Sequence, residues 1–321
     1  MKKLWLMLIM SLLVLFIAAC GSDDNTDEAA NAGEDTEETK SDETVTVSHE
    51  LGETEVPKNP EKVVVFDFGI LDTLDKLGVE VAGVAQAGTI PAYLEKYAGD
   101  EYENIGSLKE PDFEKIAEID PDVIIISGRQ ASVYDQLTEI APTIHLGVDT
   151  TRYMDSFKEN MAVVGEIFDA QDEIDAEIAK IEESITALNE KATASELNSL
   201  IILANDDKIS AYGPNSRFGM IHDVFGVQPV DDSIEASTHG MNVTFEYVME
   251  QDPDLLYVVD RGAVVGGESS APQLVENELV KNTKAYQNKN IVYLDPDFWY
   301  LSGGGLTSVS EMINEIDASI E

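Results

Sequence analysis

One stretch of this sequence is written twice. Residues 113–126 read Phe-Glu-Lys-Ile-Ala-Glu-Ile-Asp-Pro-Asp-Val-Ile-Ile-Ile, and residues 245–258 read Phe-Glu-Tyr-Val-Met-Glu-Gln-Asp-Pro-Asp-Leu-Leu-Tyr-Val. At the same spacing Arg129, preceded by Gly128, corresponds to Arg261, followed by Gly262. A period this long is too large for a solenoid unit. It predicts two domains of similar build, each with an arginine closing an equivalent strand. Two lobes that turn matched cations toward a shared cleft suit an anionic ligand.

The pattern between the copies supports an α/β reading. Val63–Phe66, Val81–Val84, Val123–Ile126 and Thr143–Leu146 are short apolar runs, and Ile70–Leu77, Phe113–Ile119 and Val133–Ile140 have helical spacing. Strands alternating with helices imply a mainly parallel sheet. Val45–Ser48 alternates as an edge strand does. From 153 to 191 the apolar residues Met154, Phe157, Met161, Val164, Ile167, Phe168, Ile174, Ile178, Ile181, Ile185 and Leu188 keep helical spacing with no proline, which predicts one long helix, straight or bent, joining the lobes. The second lobe restarts with strands at Ser199–Leu203 and Ile209–Tyr212. A helix over Arg217–Phe225, capped by Asn215 or Ser216, follows, then a helix over Leu274–Val280, a strand over Asn290–Leu294 and a terminal helix over Ser308–Ile320. The expected fold is therefore α/β, with two similar lobes of mainly parallel sheet, a single linking helix and a ligand cleft between the lobes. The lobes span 45–152 and 192–321, with the helix at 153–191.

Lys2 and Lys3, the apolar run Leu4–Phe16 and the small residues before Cys20 have the layout of a secretory signal over residues 1–19. The sole cysteine follows that site at once, as in a bacterial lipobox, so Cys20 is expected to carry lipid. The run is short for a membrane span, which needs ~20 residues. With Cys20 lipidated, disulfides, cysteine metal sites and cysteine catalysis are excluded. Residues 20–44 are acidic and almost free of large apolar residues, and are expected to form a disordered tether. The chain has 63 Asp and Glu against 20 Lys and Arg, a formal charge of −43. That excludes nucleic acid as a partner and makes each arginine at a strand end informative.

No Gly-x-Ser-x-Gly, P-loop or His-Glu-x-x-His motif is present, so an enzyme is not expected. The four histidines, His49, His145, His222 and His239, are too scattered to form a local metal motif.

Several segments resemble the two-lobed, helix-linked substrate-binding proteins of bacterial ABC importers for ferric siderophores, haem and cobalamin, especially Gram-positive lipoproteins for petrobactin and related catecholates. They are Ser48–Gly52 with Thr54–Pro57, Lys62–Phe66, Leu71–Asp75, Ser237–Gly240, Val259–Gly262 and Trp299–Gly305. The resemblance covers about 45–321. It implies a monomeric, membrane-anchored receptor on the outer face of the cell membrane. Such a receptor carries an Fe(III)–siderophore ligand, catecholate or mixed catecholate–citrate, to an ABC permease dimer with its ATPase, and needs no cofactor. Haem or cobalamin is the alternative ligand, and a free metal ion a weaker one. The resemblance implies that Arg129, Arg217 and Arg261 form a cationic cradle; guanidinium is always charged and lies flat on aromatic rings. It implies that His239 and Tyr300 line the cleft, and that they ligate iron where the siderophore leaves sites open. Trp299 and Tyr212 are expected as stacking walls or, alternatively, as core residues. Glu114 and Glu246, the second residues of the repeated helices, are the implied permease-docking acids, with Glu110 a competitor in the first lobe.

Overall fold

The computed structural model describes residues 43–267 and 270–320. The leader, Cys20 and nearly all of the acidic tether lie outside the described residues. The first lobe opens with an antiparallel hairpin of β1 (Thr44–His49) and β2 (Gly52–Pro57). Val45 and Val47 bury one face of β1 while their neighbours stay exposed or half-buried. There follow β3 (Val63–Val65), α1 (Phe68–Lys76), β4 (Gly83–Val84), β5 (Glu103–Asn104), α2 (Phe113–Ile119), β6 (Val123–Ile126), α3 (Tyr134–Thr138) and β7 (Thr143–His145). The sheet order is β5-β4-β3-β6-β7, with every neighbouring pair parallel. Parallel pairing needs a crossover between strands, and these strands are covered on both faces. That is why β3 and β6 read as unbroken Val and Ile runs, all buried.

The single linking helix expected over 153–191 is two helices, α4 (Tyr153–Ile167) and α5 (Gln171–Ser195). The break lies at Asp169, which takes a left-handed φ of +50°. Its carboxylate accepts from Lys58 Nζ at 3.1 Å and Asn59 Nδ2 at 2.6 Å. Neither proline nor glycine marks the site; the partners that hold it come from the segment after β2, more than a hundred residues earlier. Beyond the break, α5 buries Ile174, Ile181 and Leu188 and leads into the second lobe.

The second lobe contains β8 (Asn198–Asn205), β9 (Lys208–Tyr212), α6 (Met220–Asp223), β10 (Gln228–Pro229), β11 (Met241–Val243), α7 (Phe245–Gln251), β12 (Leu255–Asp260), α8 (Arg261–Val265), α9 (Ala271–Val275), α10 (Lys284–Gln287) and β13 (Ile291–Leu294). Its order is β11-β9-β8-β12-β13, with β10 beside β8; β9 and β11 run antiparallel and the rest parallel. The repeated sequence has become a repeated structure. The side chains of Asp112 and Thr244 cap α2 and α7 by accepting from Lys115 N and Tyr247 N. Both helices end on a left-handed aspartate, Asp120 at φ +54° and Asp252 at φ +46°. Proline follows each and cannot continue a helix. β6 and β12 then enter the middle of their sheets.

The chain does not finish in the second lobe. After β13 a π-helical turn, Asp297–Ser302, leads to α11 (Leu306–Ser319), and this segment is seated on α1 of the first lobe. A Cβ on Gly69 would fall 2.3 Å from the Ser302 carbonyl oxygen, so glycine is needed where α1 meets the turn. Asp72 accepts from Thr307 N at 3.1 Å and Ser308 N at 2.9 Å, and Thr73 Oγ1 accepts from Leu306 N at 3.1 Å. Ala92 N donates to Asp297 Oδ2 at 2.8 Å. The sequence places residues 297–320 in the second lobe by order; in the fold α11 packs on both α1 of the first lobe and α5, and Ser319 meets the Tyr257 hydroxyl of β12 at 2.8 Å.

Candidate functional site

Three arginines from separate loops converge on one tyrosine. Arg129 follows β6 in a loop held by Gln130, whose Oε1 accepts from Ser127 N and whose Nε2 donates to Leu108 O. Its Nη2 donates to the carbonyl oxygen of Tyr300 at 3.0 Å. Arg217 Nη2 donates to the same carbonyl at 2.7 Å. Its guanidinium also lies 4.2 Å from the Tyr300 ring centroid and 5.3 Å from that of Phe218. Arg261 opens α8, where Asp260 caps the helix; its Nε donates to the Tyr300 hydroxyl at 2.8 Å and its Nη1 to Asn205 Oδ1 at 2.5 Å. The repeat thus brings its two arginines to the two ends of the same residue.

Arg217 sits differently from the sequence expectation. No helix begins there: residues 214–219 are turns, and α6 runs only from Met220 to Asp223. Asn215 is left-handed at φ +57°, and its N–H is taken by Asp223 Oδ2 at 2.6 Å. The residue expected to cap the helix instead turns the chain away from it. The charge at this point comes from the guanidinium and not from a helix end.

Among the described residues no carboxylate lies within 4 Å of Arg129, Arg217 or Arg261, in a chain where acids outnumber bases threefold. Arg152 shows the ordinary arrangement, paired with Asp149 and Glu159. Burial, and then the neighbouring charge of Arg129, pull the Arg217 guanidinium below the usual arginine value. Burial alone would raise the Tyr300 phenol. The Arg261 hydrogen bond and the charges of Arg217 and Arg261 outweigh it and hold the phenol below the ordinary tyrosine value. The cluster is electrostatically unbalanced, and an anion would relieve it.

Two cavities meet at Tyr300 and Arg261. The larger, about 540 Å³, is lined by residues of both lobes, among them Ala85, Leu108, Arg129, Val264 and Leu301. The smaller, about 180 Å³, contains Tyr212, Arg217, Thr238 and His239. His239 is exposed on its loop and lines only the smaller cavity. Tyr212 is nearly buried; its ring packs 4.7 Å from that of Phe218, so it floors the small cavity more than it walls the cleft. Trp299 does not line the cleft. It is buried, and its Nε1 donates to Glu315 Oε2 at 2.6 Å in α11. Glu114 and Glu246 are both exposed, each beside a surface hollow, and the first hollow also contains Glu110. Sequence reasoning missed Asn205, which orients Arg261, and the cleft lysines Lys109 and Lys208. No motif flags them; Asn205 and Lys208 flank a hairpin turn and are identified only by pairing β8 with β9. Among the described residues no cluster of three or more His, Cys, Asp or Glu could hold a metal ion. No described helix is long and apolar enough to cross a membrane.

The periplasmic binding protein family matches residues 63–298. The chain belongs to that family. Members bind substrates and are not enzymes, which agrees with the motifs absent from the sequence. This periplasmic binding protein is 50% identical to the petrobactin-binding protein YclQ of Bacillus subtilis over 325 residues, covering 100% of both chains. The crystal structure of YclQ superposes with a TM-score of 0.85 at 53% identity, covering 87% of this chain and 99% of that one. The periplasmic catecholate-siderophore binding protein VctP of Vibrio cholerae superposes at 0.82 with 34% identity, covering 86% and 100%. The ferric-anguibactin-binding protein FatB of Vibrio anguillarum is 30% identical over 85% of this chain and 86% of its own length. The helix-linked α/β architecture of two mainly parallel sheets is the fold of this family.

Proposed function

We propose that this chain is the receptor of an ABC iron importer that captures a ferric siderophore of the catecholate class, petrobactin-like in its chemistry. The observation that carries the reading is the gathering of Arg129, Arg217 and Arg261 on Tyr300, where among the described residues none of the three forms an ion pair. A ferric catecholate brings multiple negative charges and flat aromatic arms. Guanidinium groups answer both by hydrogen bonding and by stacking. The similarity to YclQ and VctP points to the same ligand class. The larger cavity, at about 540 Å³, is of the size that holds a compact ligand.

In this reading the arginines form the cradle, and the chelate takes over the hydrogen bonds that Tyr300 now receives. Tyr300, with its phenol held low, serves as an iron ligand when the siderophore leaves a coordination site open. His239 assists from the smaller cavity. Glu114 and Glu246 face the permease, one on each lobe, where paired acids orient docking and raise its rate. Cys20 holds the receptor to the outer face of the membrane.

The test is a titration of the pure protein with a ferric catecholate, a ferric hydroxamate, haem and cobalamin, read by quenching of tryptophan fluorescence. Tight quenching by the catecholate alone is expected. Preferential binding of haem or cobalamin would reject the reading. For Tyr300, the absorption spectrum of a ferric bis-catecholate complex should shift relative to free chelate, and Tyr300→Phe should abolish the shift.

A further inference from the structure

The two cavities that meet at Tyr300 differ in chemistry. Ala85, Leu108, Val264 and Leu301 give the larger one an apolar side, facing a polar set that includes Lys109, Arg129, Asp206 and Arg261. The smaller is walled by Asn205, Lys208, Ser210, Thr238, His239 and Asn242. At about 180 Å³ it is too small for a whole chelate, since ligand sites run to ~300–1,000 Å³. It has room for one short polar branch.

Lys208 is the charge in that wall. Most of the other described lysines have carboxylate partners, among them Lys58 with Asp169, Lys76 with Glu177, Lys158 with Glu182 and Lys191 with Asp317, whereas Lys109 in the larger cavity is, like Lys208, in none of the ion pairs. Lys208 opens β9 directly after Asp206 and Asp207, yet among the described residues no carboxylate lies within 4 Å of its ammonium. The Ser210 and Asn242 side chains, 3.5 Å apart, continue the polar wall beside it. Arg217 and Arg261 also line this cavity. An ammonium, hydroxyl groups and a side-chain amide around a small volume next to two guanidiniums make a donor-rich receptor for a compact anion.

We propose that the smaller cavity is a carboxylate subsite, in which Lys208 anchors a pendant carboxylate arm of the chelate while the iron–catecholate body fills the larger cavity. The subsite rests on the siderophore reading above and adds to it a basis for choosing among catecholates. Chelates that carry a free carboxylate on the linker between their catechols gain the Lys208 contact; those without it do not.

The experiment uses two ferric bis-catecholamide chelates, one with a free carboxylate on its linker and one with that group converted to a methylamide. Each is titrated against the full chain and its Lys208→Met and Lys208→Arg variants by fluorescence quenching. Lys208→Met should weaken binding of the carboxylate chelate by at least about tenfold, as for a lost charged hydrogen bond, and leave the methylamide chelate unchanged. Lys208→Arg should restore most of the loss. The methylamide arm also shows that the variant is folded. Equal weakening of both chelates, or of neither, overturns the subsite and leaves the siderophore reading standing. If the unmodified protein binds neither chelate, that reading itself fails and the subsite with it.

Discussion

The carboxylate of Asp72, in α1, accepts a hydrogen bond from the N–H of Ser308 at 2.9 Å, 236 residues further along the chain. Thr307 N and the Tyr93 hydroxyl donate to the same carboxylate, so a side chain of the first lobe caps the last helix. Through that cap the turn bearing Tyr300 is fixed to the first lobe, whereas Arg217 and Arg261 reach it from the second.

Burial lifts the Asp72 carboxyl to about 6, in spite of the hydrogen bonds that favour its charged form. The unfolded chain releases this proton near pH 4. Between about pH 4 and 6 the folded protein therefore holds a proton that the unfolded one has lost, and stability falls as pH rises through that window. Because many other carboxylates titrate nearby, the difference from Asp72→Asn isolates the effect. Relative to the variant, the unmodified protein should lose about 2 kcal/mol between pH 4 and 6.5 in urea unfolding. A pH-independent difference would show that Asp72 is not the titrating group.

Each of Arg129→Gln, Arg217→Gln and Arg261→Gln should weaken ferric catecholate binding by ~1.5–3 kcal/mol, the range for a lost charged hydrogen bond. Arg129 and Arg217 share the Tyr300 carbonyl, so their double variant should depart from additivity. Unchanged affinity in all three single variants would remove the cradle.

Trp299 and Tyr300 are neighbours with opposite assignments. Trp299→Phe leaves the cleft intact but removes one of the two hydrogen bonds to the Glu315 carboxylate, whose pKa burial already raises, leaving only that from Asp295 N. The variant should lose ~1–3 kcal/mol of folding stability and keep its affinity for ferric catecholate. Calorimetry and a quench titration on one sample decide it; impaired binding at full stability would return Trp299 to the ligand.

The double variant Glu114→Ala with Glu246→Ala should bind ferric catecholate normally and fail to support iron uptake in cells that depend on this receptor. Both residues are exposed on their repeated helices, so folding should be unaffected. Uptake at the unmodified rate would assign the docking role elsewhere, with Glu110 the next acid to change.

What the sequence made legible follows from local rules. The repeated helix and strand could be read because apolar spacing and the Asp-Pro stop lie within fourteen residues. Arg129 and Arg261 were found because they end strands whose position the repeat defines. Long-range partners hid the rest. The break at Asp169 is held by Lys58 and Asn59, more than a hundred residues away, and nothing within 153–191 announces it. Trp299 was misplaced because composition cannot tell which of two adjacent aromatics faces the cleft; neighbours in a helical turn point apart. The return of α11 to the first lobe depends on Gly69, Asp72 and Thr73, whose roles appear only once the end of the chain is beside them.

That return sets an order of assembly. Domains usually fold as they leave the ribosome, the N-terminal one first. Here α1 of the first lobe meets its native neighbours Leu306, Thr307 and Ser308 only after the segment carrying α11 has been synthesised.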